Sequence, residues 1–140
     1  MDPYDFQNCT CFNLRKATRS LTQLYDDALR PIGIGANQVA ILSVVKKLGP
    51  VGMNDLATTL VMDRTTLTRN LKPLLKAGYL NSSEGEDRRR RLIALTTNGV
   101  AILTKATPIW QEIQTKVSET LGQTRWVRLL GDLQQVTHLS

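Results

Sequence analysis

The order of apolar and polar positions along the chain predicts several helices on either side of a short hairpin. Over the first 77 residues, apolar side chains recur at steps of three or four, which is the spacing of one helix face. This spacing predicts helices over about 11–29, 37–48, 53–60 and 64–77. It returns after Thr97-Asn98-Gly99 and predicts a helix from about 100 to 121, interrupted by Pro108, and a final helix over about 124–139.

Between residues 79 and 96 the period falls from about 3.6 to 2, which is typical of strands. Segments 79–83 and 91–96 read as two strands, with Ile93 and Leu95 facing inward, and the charged turn 84–90 joins them. Two short helices joined by a tight turn and followed by a hairpin describe a winged helix-turn-helix. The predicted fold class is therefore mainly α, a winged helix-turn-helix with a two-stranded β-hairpin wing.

Length and composition are those of one globular domain without a membrane-spanning segment. The chain has 140 residues, of which 41% are hydrophobic and 21% charged. No apolar run approaches the roughly 18–20 residues that cross a bilayer. The first residues, Met1 to Asp5, lack the basic-then-apolar pattern of a signal peptide. We expect a single domain over 1–140, located in the cytoplasm and without membrane contact.

Positive charge is concentrated where a DNA-reading helix is predicted. Lys and Arg total 18 against 12 Asp and Glu, a net charge of +6 that favours anionic partners. Helix 64–77 is apolar on one face, and its other face carries threonine, arginine and lysine, which suit base edges and phosphates. The outward residues are Thr65, Arg69, Lys72 and Lys76. A solvated helix face often has the same composition, so this helix alone leaves both interpretations open.

The predicted hairpin favours the DNA interpretation. Arg88 to Arg91 are four consecutive arginines, whereas a solvated surface normally spaces like charges apart. A narrow minor groove accepts an inserted arginine. Glu86 and Asp87 could orient one guanidinium through a two-pronged salt bridge. A basic helix and a basic hairpin next to each other predict contacts in both grooves of double-stranded DNA.

Two segments resemble the MarR family of transcriptional regulators. The stretch 53–80 resembles the MarR helix-turn-helix, and 87–99 resembles the MarR wing, in which Asp-x-Arg precedes an apolar-x-Leu-Thr-x-x-Gly strand. Asp87 and Arg89 fill the Asp-x-Arg, and Gly99 ends the motif. The resemblance extends over nearly the whole chain.

The resemblance implies a homodimer that binds a palindromic operator, usually as a repressor. Helices in about 1–35 and 100–140 would form the dimer, and about 36–99 would form the DNA-binding lobe. Arg89 would enter the minor groove, with Asp87 holding it in place. The implied DNA contacts are Arg64, Thr65, Thr66, Thr68, Arg69, Lys72, Asp87, Arg88 and Arg89.

MarR proteins usually respond to a signal, and the resemblance implies a small phenolic or aromatic effector between the dimer helices and the DNA-binding lobe. No short motif marks the residues of such a pocket. Arg15, Lys16 and Tyr25 are candidate groups for an anion or a phenol, although surface or core roles suit each of them better.

The two cysteines, Cys9 and Cys11, allow an alternative signal. Two thiols so close in sequence make a poor structural disulfide, and His138 is the only histidine, so no metal site is expected. The pattern from Cys11 to Tyr25 resembles the start of the peroxide-sensing OhrR branch. Oxidation of Cys11, with or without Cys9, would then release DNA.

This chain departs from the OhrR branch at two positions. Arg15 and Val39 stand where that branch tends to have tyrosines that hydrogen-bond the thiolate. Cysteines also behave often as small apolar residues. Release by a small molecule and release by oxidation both stay open at this point.

Two further classes of function fit the sequence less well. An enzyme would need a catalytic or phosphate-binding signature, and none is present, so we expect neither catalysis nor a cofactor. A winged helix that binds only proteins usually lacks the basic wing, whereas this chain has four arginines there.

Overall fold

The computed structural model describes residues 1–87 and 89–139, which form six helices and a small sheet. Two short 3₁₀ turns, Phe6–Asn8 and Arg30–Ile32, flank the first helix. In chain order, the elements are α1 (Thr10–Leu29), α2 (Ala36–Leu48), β1 (Val51–Gly52), α3 (Met53–Leu60), α4 (Arg64–Lys76), β2 (Leu80–Glu84), β3 (Arg91–Leu95), α5 (Thr97–Leu121) and α6 (Gln123–Thr137). The mainly helical winged-helix prediction is confirmed.

The sheet has three strands in the order β1-β3-β2, so the prediction of a two-stranded wing is incomplete. β2 and β3 form the antiparallel hairpin, in which Leu80 faces Leu95 and Glu84 faces Arg91. On the other edge of β3, Val51 pairs with Ile93. β1 has only two residues, which are too few to show a period of two, and only the fold brings it to β3.

The main hydrophobic core lies between α2, α3, α4 and the sheet. Each helix contributes the apolar face that its periodicity predicts. These residues are almost completely inaccessible to solvent, which is the main source of stability for a domain of this size. The fully buried large side chains include Ile41, Leu42, Val45, Leu56, Leu67, Leu71, Leu74 and Ile93.

The prediction that a break at Pro108 divides the fifth helix is wrong. α5 is one continuous helix from Thr97 to Leu121. A proline removes one backbone hydrogen bond and bends a helix, but packing on both sides can hold the two halves together. Ala106 is buried before the proline and Ile113 after it, so both halves are held against the rest of the protein.

The terminal helices keep much of their apolar surface in solvent. α1 packs on α5, and α5 packs on α6. Leu21 and Leu24 of α1 are 38% and 42% exposed, and α6 contributes no buried residue within the described chain. On α6, the exposed apolar side chains are Val127, Leu129, Leu130 and Val136.

In the described residues, no single helix is long and apolar enough to cross a membrane. One pair of these helices is long and apolar enough when its two members are counted together. The pair is Thr10–Ile32 and Ala36–Leu48, and it is bent by 80°.

Candidate nucleic-acid interface

A tight turn sets α4 at an angle to α3. Val61 adopts the left-handed region with φ of 54°, which is costly for a residue with a branched Cβ. The turn is closed by two backbone hydrogen bonds, from Val61 N–H to Thr58 O at 3.2 Å and from Met62 N–H to Ala57 O at 2.9 Å. The strained residue is therefore held by the hydrogen bonds around it.

Asp63 begins α4 and fixes its first turn. Its Oδ1 accepts a hydrogen bond from the Thr66 N–H at 2.8 Å, and its Oδ2 accepts one from the Thr66 hydroxyl at 2.9 Å. These hydrogen bonds from Thr66 lower the pKa of the Asp63 carboxyl below its ordinary value. Asp63 is therefore the N-cap of α4, and it caps the helix through the N–H of Thr66.

The structure gathers five of the predicted contact residues on the open side of α4. All five are exposed, and together they line a shallow depression of about 520 Å³. Because guanidinium, ammonium and hydroxyl groups share one surface, it can donate hydrogen bonds to base edges and phosphates. The five residues are Arg64, Thr65, Thr68, Arg69 and Lys72.

Thr66 does not lie with that group. Its side chain is half-buried, and its hydroxyl already donates to Asp63. Asn54, in the first turn of α3, was not among the predicted residues, although its Oδ1 accepts a hydrogen bond from Arg64 Nη1 at 3.3 Å. The sequence gives no signal for this contact, because only the turn brings the starts of α3 and α4 together.

The wing turn is organised by Asp87 through hydrogen bonds to the backbone. Its carboxylate accepts a hydrogen bond from the backbone N–H of Arg89 at 3.1 Å, and its carbonyl accepts one from the N–H of Arg90 at 2.8 Å. In residues 1–87 and 89–139, the structure records no ion pair between Glu86 or Asp87 and an arginine. A short aspartate side chain readily turns back to its own backbone two residues ahead.

The wing presents a cluster of cations. Arg89, Arg90 and Arg91 are exposed, and the Gly85 N–H donates to Arg90 O at 2.8 Å across the base of the turn. Arg88, another predicted contact, lies outside the described residues. The hairpin therefore carries at least three exposed guanidinium groups on the same lobe as α4.

A second concave site lies between α1, α2 and α5. This cavity of about 530 Å³ has mainly apolar and aromatic walls, with Lys46 as its one lysine or arginine. The Tyr25 hydroxyl donates to Gln114 Oε1 at 2.8 Å, and burial raises the pKa of Tyr25. The lining residues are Tyr25, Leu29, Ala36, Val39, Ala40, Ser43, Lys46, Leu103, Thr107 and Trp110.

Only one of the three predicted effector candidates lines this cavity. Tyr25 does, whereas Arg15 lines a separate groove and the Lys16 ammonium lies 5.2 Å from the centre of the Phe12 ring. Lys46 and Trp110 were not predicted. They lie on helices far apart in the sequence, and no local pattern marks them as neighbours.

Both cysteines are free thiols at the start of α1, and both are exposed. Cys9 occupies the N-cap position, and Cys11 lies in the first turn. Cys11 also lines a groove of about 740 Å³, whose other wall includes Val136 of α6 and Leu139 just after that helix. Cys11 therefore lies in the groove between the start of α1 and the C-terminal end of the described chain.

Known proteins share this architecture. Residues 34–99 match the family described as a winged helix DNA-binding domain. The M. tuberculosis transcriptional regulator MosR, solved in complex with DNA, is 37% identical, with a TM-score of 0.85 over 92% of this chain and 93% of that one. Bordetella bronchiseptica BpsR, whose DNA binding is regulated by 6-hydroxynicotinic acid, has a TM-score of 0.87 at 21% identity, over 99% of this chain and 100% of that one.

A shorter sequence match agrees with these structures. The Bacillus subtilis (strain 168) protein YwoH, an uncharacterized HTH-type transcriptional regulator, is 26% identical over 83 residues. The match covers 59% of this chain and 61% of that protein, which is less than two thirds of its length. The proteins that this chain resembles are transcriptional regulators rather than enzymes. With the MosR likeness over nearly the whole chain and a basic winged-helix lobe, the chain belongs to the MarR family of DNA-binding transcriptional regulators.

Proposed function

We propose that this chain acts in the cytoplasm as a homodimeric repressor that binds a palindromic operator and is released by a small aromatic acid. One structural observation is the main support for DNA binding. The five exposed polar side chains of α4 and the arginines of the wing lie on one lobe. The solved complex of MosR with DNA supports the same use of that lobe.

The side chains divide by their chemistry. Thr65 and Arg69, on the exposed face of α4, suit base edges in the major groove, while Lys72 suits a phosphate. Arg89 suits the minor groove, where its guanidinium meets concentrated negative potential. Asp87 supports that role by fixing the backbone of Arg89. Arg88 stays a contact predicted from the sequence.

The test is a fluorescence-anisotropy titration of the protein with duplexes from the DNA upstream of its own gene. Arg89→Ala should weaken operator binding by roughly tenfold or more. Arg125→Ala removes an exposed arginine in the first turn of α6 and should leave binding unchanged. Equal affinities for wild type and Arg89→Ala would show that the wing does not bind DNA.

The cavity supports an aromatic carboxylic acid as effector. Its walls carry Trp110 and Tyr25 for stacking, and Lys46 offers a cation for a carboxylate. BpsR, whose likeness to this chain is one of fold, is regulated by 6-hydroxynicotinic acid. Benzoate should raise the unfolding temperature of the wild type. Lys46→Met should abolish that shift without changing the response to benzyl alcohol, which lacks the charge.

The groove at Cys11 favours oxidation as a second candidate signal. The Cys11 thiolate would attack a hydroperoxide and break its O–O bond; one oxygen stays on sulfur, and one proton from water completes the sulfenic acid and the alcohol. The added polar group would lie against Val136 of α6 and against Leu139, which follows that helix. Cumene hydroperoxide should then release wild-type protein and Cys9→Ser from DNA but not Cys11→Ser. Equal release of wild type and Cys11→Ser would rule Cys11 out.

A further inference from the structure

A series of hydrogen bonds runs from α1 through the first turn of α2 to α4. The Asp26 Oδ1 accepts a hydrogen bond from the Ala36 N–H at 2.7 Å. The next residue, Asn37, donates through Nδ2 to Asn70 Oδ1 at 3.0 Å. Asn70 Nδ2 in turn donates to the Thr66 carbonyl oxygen at 2.9 Å. Two consecutive residues of α2 therefore join α1 to the helix that carries the proposed DNA contacts.

The surroundings of Asn70 orient its Oδ1 to accept the hydrogen bond from Asn37. It is half-buried on α4, and its Nδ2 is already directed at Thr66 O, with the Met62 sulfur 3.9 Å away. Only its Oδ1 is left to accept a hydrogen bond, and the donor comes from another helix. Across residues 1–87 and 89–139, this is the one hydrogen bond recorded between side chains of α2 and α4. It is thus a specific polar restraint on how α4 sits against α2.

Asp26 restrains the other end of the series. α2 begins after Gly35, which has no side chain to cap the helix, and Asp26 of α1 supplies a carboxylate instead. A carboxylate at a helix N-terminus is favoured by the helix dipole and by its charge-assisted hydrogen bond. A Cβ built on Gly35 would lie 3.2 Å from Asp26 Oδ1, so glycine leaves room for the carboxylate.

We propose that Asp26, Asn37 and Asn70 are positioning residues for DNA recognition, which hold α4 in the orientation that presents its exposed face. This inference rests on the proposed function, since it concerns how the same helix meets DNA. Ala36 lines the cavity and Asn37 bonds α4, so the cavity wall and the restraint on α4 belong to consecutive residues. None of the three side chains is required to touch DNA.

A double-mutant cycle on operator affinity tests the Asn37–Asn70 bond. Asn37→Ala and Asn70→Ala should each weaken operator binding about threefold to tenfold, as expected for one hydrogen bond in each protomer. The double variant should bind no more weakly than the weaker single variant, because both changes remove the same bond. Asn98→Ala, at an exposed asparagine in the first turn of α5, is the matched control and should bind as wild type does.

A conservative variant tests the Asp26 end. Asp26→Asn keeps an oxygen that can accept from the Ala36 N–H and should retain operator affinity, whereas Asp26→Ala should lose it about as far as Asn37→Ala does. Thermal unfolding of each variant establishes that it is folded. Additive losses in the cycle would mean that the two asparagines affect DNA binding independently of each other, and they would overturn this inference while leaving the proposed function intact. A wild type that binds no upstream duplex would overturn both.

Discussion

At the scale of single residues, Thr96 joins the wing to the end of α4. Its hydroxyl donates to Gly78 O at 2.5 Å and accepts from the Gly99 N–H at 3.0 Å, and its own N–H donates to Tyr79 O at 3.0 Å. Gly78 has φ of +78°, which lets α4 end directly before β2. Thr96 therefore fixes three parts of the DNA-binding lobe, which gives the Thr-x-x-Gly pattern a structural reason.

Gly99 is a residue whose substitution should be severely destabilising. A Cβ there would collide with the backbone carbonyl of Tyr79 and would lie 2.7 Å from Leu95 Cδ1. We expect Gly99→Ala to lower the free energy of unfolding by about 1–3 kcal/mol or more, because the backbone that it meets cannot rotate away. Urea unfolding followed by circular dichroism measures the change.

Gly131 in α6 provides the matched control for Gly99. A Cβ at Gly131 would have no neighbour within 4 Å among residues 1–87 and 89–139. Gly131→Ala should therefore stabilise the protein by up to about 1 kcal/mol, the usual helix preference for alanine. If Gly99→Ala unfolded at the same urea concentration as wild type, the close packing of α5 on Tyr79 would be wrong.

At the scale of elements, local signals placed the helices well. α4 begins and ends within one residue of the range 64–77 that its apolar spacing predicts. β1 was missed because two residues have no period. The hydrogen bonds of Asp87 could not be predicted, because a carboxylate can accept from several nearby groups. The lining of the cavity could not be predicted either, because only the fold brings Tyr25, Lys46 and Trp110 together.

The cap of α4 should make stability depend on pH in the acidic range. Hydrogen bonds from Thr66 favour the ionised Asp63, so its pKa in the folded protein lies below its ordinary value of 3.8. The stabilisation is therefore complete above the unfolded pKa and is lost as the pH falls through the folded one. Asp63→Asn keeps an accepting oxygen that does not titrate in this range.

Thermal unfolding of wild type and Asp63→Asn between about pH 2 and pH 6 measures this dependence. The unfolding temperature of the wild type should exceed that of Asp63→Asn by more at the upper end of this range than at the lower end. A difference that stays constant across the range would show that the charge of Asp63 does not contribute to the cap.

At the scale of the whole molecule, the exposed apolar faces of α1 and α6 support the proposed homodimer. A face of this kind is typical of a surface that a second copy covers. We expect Leu130→Glu to convert the dimer to a monomer, measured by light scattering coupled to size-exclusion chromatography. Leu130 is already 41% exposed, so the monomer should stay folded. Gln135→Glu, on the opposite side of α6, should remain dimeric, and a dimeric Leu130→Glu would place the interface elsewhere.

The net charge of +6 makes the salt dependence of DNA binding a test of which cations touch phosphate. Each phosphate contact releases counterions and contributes about −0.9 to the slope of log K against log salt. If Lys72 contacts a phosphate in both protomers, Lys72→Ala should make the slope shallower by nearly 2. Lys116→Ala, at an exposed lysine of α5, should leave the slope unchanged. A Lys72→Ala variant that weakens binding with an unaltered slope would show that Lys72 does not neutralise a phosphate.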